Sequence, residues 1–205
     1  MAVNTLEEFE TLPESLVAEF VDGRIRVFNS FTTAQHEIRN ELLVKASQYL
    51  KEAGLDACMA LLFHANVQIG NDIFEPALFA CEKEILTEKR CVGVPDWIVE
   101  IATPQTVSWI CATKLQKYMD AAVPEYWIVD MEARLVLVYR SSASQTGVEA
   151  YCSSPNLKGR FFARNNTPTV FAVGVKDNWT FFNFCFRSCV TIYPTSYLVS
   201  NKLCR

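Results

Sequence analysis

The six residues Trp97-Ile98-Val99-Glu100-Ile101-Ala102 form an almost unbroken apolar run with a single carboxylate inside it. A run this short, too short for an ordinary helix, reads as a strand covered on both faces near the centre of a sheet. A helical pattern from about Ser108 to Ala121 follows, and then two further strands, Glu125 to Val129 and Leu135 to Arg140. Helix between buried strands implies a mixed α/β (α+β) domain. Within that frame Glu100 requires an explanation, because a carboxylate in a buried strand is costly unless it is paired, protonated or bound to a metal. The bland alternative is a strand-end glutamate that reaches solvent or a lysine.

Upstream, a short helix near Thr5 to Leu12 has Asn4 or Thr5 to cap it and Pro13 after its end. Leu16 to Val21 and Arg24 to Phe28 flank Asp22-Gly23, a strong hairpin signal. From Thr33 to Ala53 the apolar residues Ile38, Leu42, Ala46, Tyr49, Leu50 and Ala53 keep helical spacing, with Gly54 as the stop. Met59 to Ile69 and Ile73 to Ala80 read as the two strands of a second hairpin around Gly70-Asn71-Asp72, and the charged stretch Glu82 to Arg90 as a short helix.

The 205 residues carry a net charge of -4, unevenly spread: residues 141–205 hold seven Lys+Arg against two Asp+Glu. That tail also has 11 of the 25 aromatic residues and four of the eight cysteines. The division expected is therefore a domain over 1–140 and an atypical C-terminal segment over 141–205. The latter either completes the domain with strands at Thr169 to Val175 and Trp179 to Phe186 or is a degraded ending, and its poor periodicity predicts less regular packing. An acidic chain offers no global attraction for nucleic acid, though a local basic groove stays open. With no CxxC pair and only His36 and His64 besides, the cysteines do not read as a zinc site. The absence of an N-terminal signal pattern and of an 18-residue apolar run predicts a cytoplasmic protein with no membrane segment. Nucleophile-elbow, P-loop, dinucleotide-binding and H-E-x-x-H motifs are all missing.

The segment Val94-Pro95-Asp96-Trp97-Ile98-Val99-Glu100-Ile101-Ala102-Thr103-Pro104, followed by Lys114, Tyr118 and Val123-Pro124-Glu125-Tyr126-Trp127-Ile128-Val129-Asp130, resembles the Uma-two family of restriction-type endonucleases, of the PD-(D/E)XK superfamily. Phe20-Val21-Asp22-Gly23, His36 and Glu75-Pro76 extend the likeness to roughly residues 15–140. The resemblance implies a restriction-endonuclease-like core, a mixed sheet flanked by helices, and DNA as the partner. It also implies Mg2+ (or Mn2+) held by two carboxylates beside the scissile phosphate. Carried over, Glu100 matches the second acidic ligand and Lys114 the catalytic lysine. Ala102 stands where an E-x-K motif has its lysine, so the lysine must come from the helix, where Lys114 and Tyr118 share a face.

At Phe74-Glu75-Pro76-Ala77-Leu78 the chain departs from the family, with Ala77 in the place of the first catalytic aspartate. Alanine cannot ligate a metal. Glu75, two residues away and on the same side of an extended strand, is the nearby substitute for a metal set of Glu100 and Glu75, although Pro76 restricts its adjustment. Gln105, Ile110 and Ala122 replace a small hydroxyl residue, an aspartate and a glycine. His36 is an auxiliary candidate, with a capping or packing role as its alternative. The expectation is a metal-dependent DNA endonuclease with weak or absent activity. The competing reading is a catalytically dead nuclease fold kept as a DNA-binding or protein-interaction module, and a homodimer stays open under either.

Overall fold

The computed structural model describes residues 4–141, together with the backbone of 146–152, 159–160 and 171–174. Helix α1 (Leu6–Glu10) begins at Thr5, whose side chain accepts from Glu8 N while Glu8 reaches back to Thr5 N, a reciprocal capping box. Strands β1 (Val17–Val21) and β2 (Arg24–Phe28) turn through Asp22 (φ 52°) and Gly23 (φ 68°). Positive φ at both central residues is the two-residue turn whose twist matches the paired strands, which is why Asp-Gly serves here. Helix α2 (Thr33–Glu52) opens on a second capping box, between Thr32 and Gln35, and Gly54 (φ 69°) follows its end.

The segment read as one hairpin over 59–80 is four strands: β3 (Met59–Leu62), β4 (Asn66–Ile69), β5 (Asp72–Phe74) and β6 (Leu78–Glu82). The breaks at Phe63-His64-Ala65 and Glu75-Pro76-Ala77 let both arms pass from one sheet to another. β3 pairs with β6 in one sheet and β4 with β5 in the other. Pro76, which has no N–H to give a ladder, suits such a transfer point. The charged stretch after β6 is only a 3-10 turn (Lys83–Ile85) leading to β7 (Arg90–Val92).

β8 (Trp97–Ala102) and β9 (Glu125–Asp130) are parallel, as the intervening helical connection requires. β10 (Leu135–Ser141), β11 (Thr146–Cys152), β12 (Gly159–Arg160) and β13 (Phe171–Gly174) extend the same sheet. The two sheets run β2-β1-β5-β4-β7 and β12-β13-β11-β10-β9-β8-β6-β3, so β1 and β8 are each interior to their sheet. The strand expected over 179–186 lies outside the described residues.

The connection from β8 to β9 is one continuous helical run in three parts: α3 (Val107–Trp109), a π-helical turn (Ile110–Lys114) and α4 (Leu115–Asp120). It ends in a Schellman pattern, with Val123 N donating to Tyr118 O and Ala122 N to Met119 O, and Ala122 at φ 55°. β8 alternates between two cores. Val99 and Ile101 pack with Leu42 of α2, while Ile98 and Ala102 pack with Phe74, Ile110, Tyr118 and Tyr126. Glu100 belongs by period to the second face, toward the β8–β9 helix. Among the described residues, no helix is long and apolar enough to cross a membrane.

Candidate active site

Lys114 Nζ lies between two glutamates, 2.5 Å from Glu19 Oε1 and paired also with Glu100 Oε1. All three residues are buried, with 1% exposure for Glu19, 4% for Glu100 and 2% for Lys114. Removing one member of such a cluster leaves an uncompensated buried charge, so the three stand or fall together. Each comes from a different element: Glu19 from the interior strand of the smaller sheet, Glu100 from that of the larger, and Lys114 from the last residue of the π-helical turn. The extra residue that a π turn inserts changes the direction of the side chains along a helix, and such turns recur at functional sites.

Further donors reach the two carboxylates. Trp109 Nε1 donates to Glu19 Oε2 (2.7 Å), Glu75 N donates to Glu19 Oε1 (3.2 Å), and the Tyr118 hydroxyl donates to Glu100 Oε1 (3.3 Å). Burial drives the Glu100 pKa up to about 7; Lys114 opposes this and the negative charge of Glu19 adds to it. For Lys114, burial works against the ammonium, but Glu100 and Glu19 outweigh it and hold the pKa above the usual lysine value. Lys114 is therefore a fixed positive charge at neutral pH, and Glu100 is the group of the cluster poised to exchange a proton.

The sequence-derived pair Glu100 and Lys114 is thus brought together, with Tyr118 attached to it. Glu75 lines the same cleft but turns its carboxylate to His64 (Oε1 to Nδ1, 3.6 Å), and its pKa is raised by burial, with His64 opposing. His36 is not in the cluster; its ring packs 5.8 Å from Phe31 and 6.0 Å from His64. Ala77 precedes β6, outside the β6–β8 ladder, and falls on the Val99 side of the sheet rather than the Glu100 side. Its methyl packs with Leu42, Leu78 and Val99 and lines a cavity of about 10 Å³ with Arg39, His64 and Glu75.

Glu19 is the residue that sequence reasoning missed. Ala18-Glu19-Phe20-Val21 carries the same signal as the Glu100 strand, a carboxylate within an apolar stretch, but a five-residue hairpin strand is usually half exposed and its polar residues pass as the outer face.

Above the cluster opens a cleft of about 430 Å³, with Arg26, Gln35, Gln105 and Trp109 among its walls. A mixed sheet of interior parallel strands, a carboxylate on one of them and a lysine from the following helix define a restriction-endonuclease-like protein. The sequence profile of the Uma2 family, described as "putative restriction endonuclease", matches residues 6–160, and the chain belongs to that family. In solved structures, it is similar to a "putative nuclease belonging to DUF820" from Anabaena variabilis ATCC 29413, with a TM-score of 0.58 and 19% sequence identity over 70% of this chain and 83% of that one. Comparison with curated proteins finds no match.

Proposed function

We propose that the protein is a slow, metal-dependent DNA endonuclease of the restriction type, with Glu19 and Glu100 as its metal-holding carboxylates and Lys114 as its lysine. The observation that carries this reading is the buried Glu19–Lys114–Glu100 cluster at the floor of an open cleft. Glu19 and Glu100 are carboxylate oxygens of the kind a hard divalent cation takes, although among the described residues no cluster of three or more potential ligands forms. Mg2+ takes oxygen ligands and is commonly held by one or two carboxylates plus substrate phosphate oxygens. Bound there, such an ion would activate water and neutralise charge on the phosphoryl group.

The chain's own groups support the rest of the chemistry. Lys114, charged throughout the physiological range, stabilises negative charge that develops on the phosphate and orients an attacking water. Glu100, its pKa raised by burial, must lose its proton to serve as a ligand, and Tyr118 holds its orientation. Activity should accordingly rise with pH as Glu100 loses its proton. Slowness follows from Ala77, which supplies no ligand, and from a lysine that already neutralises the carboxylates.

The test is nicking of supercoiled plasmid in Mg2+ or Mn2+, comparing the native protein with Glu100→Gln and Glu19→Gln. Slow nicking that falls at least about tenfold in each variant is expected, since one lost ligand is worth a decade or more in rate. Robust cleavage that survives Glu100→Gln would overturn the assignment. Absence of nicking by the native protein, with DNA still bound, would favour the inactive DNA-binding module, the reading to which Ala77 lends weight.

A further inference from the structure

The mouth of the cleft carries a second feature, independent of the carboxylates. The guanidinium of Arg26 lies over the ring of Trp109, with Cζ 4.1 Å from the centroid, and both residues line the cleft. Trp109 is anchored by its Nε1 bond to buried Glu19, so the ring cannot swing away without breaking a charge-assisted hydrogen bond. Arg26 is exposed on β2 and holds its guanidinium over the ring. A planar cation stacked on a fixed aromatic is a surface onto which a nucleobase stacks, by base–guanidinium and cation–π contact.

The depth of the floor restricts what can use this platform. Glu19, Glu100 and Lys114 are all less than 5% exposed, so a phosphate must enter the cleft to meet them. At about 430 Å³ the cleft is of small-ligand size, with room for about one nucleotide and its waters. A strand whose bases are free can lower one phosphate to the floor while an adjacent base rests on Arg26.

We infer that the cleft selects single-stranded or locally unpaired DNA, with Arg26 stacked on Trp109 as the nucleobase platform beside the scissile phosphate. This rests on the nuclease reading for the identity of the ligand, but its test does not need cleavage. Fluorescence anisotropy in EDTA, at fixed low salt, compares fluorescein-labelled dT12, the same strand with abasic residues in place of all bases, and a 12-base-pair duplex. The native protein should bind dT12 at least about tenfold more tightly than either of the others, since stacking of a single base is worth roughly that much. Arg26→Ala should lose about tenfold on dT12 and change little on the abasic strand; Arg26→Lys, which keeps the charge but not the plane, should also lose affinity for dT12 alone. Equal binding of abasic and intact strands, or a preference for duplex, would overturn the inference and leave the nuclease reading standing. Base-dependent binding without cleavage in Mn2+ would uphold it and remove the nuclease reading instead.

Discussion

Replacing Lys114 by methionine tests the electrostatic core of the site. The substitution keeps much of the stem packing and removes the ammonium that stands between Glu19 and Glu100. Two nearly inaccessible carboxyls then share a site with no counterion, and the pair resists ionisation. A carboxyl whose pKa in the folded protein exceeds its unfolded value favours folding only while protonated. Its contribution is complete below about pH 4.5 and is lost as pH climbs through the folded value. Glu100 already behaves this way, with its pKa near 7. Removing the cation takes away the charge that opposes this shift in Glu100 and raises its pKa further. Urea unfolding should therefore show Lys114→Met destabilised by about 1–2 kcal/mol at pH 5 and about 3–5 kcal/mol at pH 7, the usual range for breaking a buried pair. Mn2+ at about 100 times its dissociation constant should then restore roughly 2.7 kcal/mol at pH 7 by mass action. The same destabilisation at both pH values, with no response to metal, would refute the assignment of Lys114 as counterion to a cation-binding carboxylate pair.

Ala77→Asp should raise both Mn2+ affinity and the plasmid-nicking rate, the latter by about 100-fold, if its carboxylate turns from the small cavity to join Glu19 and Glu100 as a third oxygen ligand. An aspartate that pairs with Arg39 across the small cavity would leave the rate unchanged and refute that orientation. Ala122→Gly should stabilise the protein by about 0.5–1 kcal/mol, read as a higher urea midpoint. It relieves an L-residue of left-handed backbone that costs 1–2 kcal/mol, less the added freedom of glycine in the unfolded chain; an unchanged midpoint would show no strain there.

What the sequence revealed, and what it hid, divides along local and non-local physics. The Asp22-Gly23 hairpin, the capped helix after Thr32 and the buried strand at 97–102 follow from turn chemistry, capping and period, all of which act within a few residues. The four-strand division of 59–82 did not, because Met59 to Ile69 has the same apolar alternation whether it stays in one sheet or crosses to another. Only the partners decide that, and they lie elsewhere in the chain. The π turn is equally silent: Ile110 to Lys114 has ordinary helical composition, and one inserted residue leaves no mark on a pattern of this length.

The same division accounts for the site. Glu100 and Lys114 were legible because they lie 14 positions apart, on a strand and the helix that follows it, whose geometry is repeated wherever such a unit forms. Glu19 is 95 positions from Lys114 and enters only because the smaller sheet folds its interior strand β1 against the β8–β9 helix. On the proposed reading, a carboxylate absent at 77 would be compensated from another sheet entirely, where no inspection of neighbouring residues would look for it. Glu75 was the candidate that proximity in sequence favoured. The pairing of its carboxylate with His64, while its backbone N–H supports Glu19, makes it a brace for the charge that reaches Lys114. On the proposed nuclease reading, an alanine at 77 would weaken a cation site without emptying it, since Glu19 and Glu100 both reach the Lys114 ammonium.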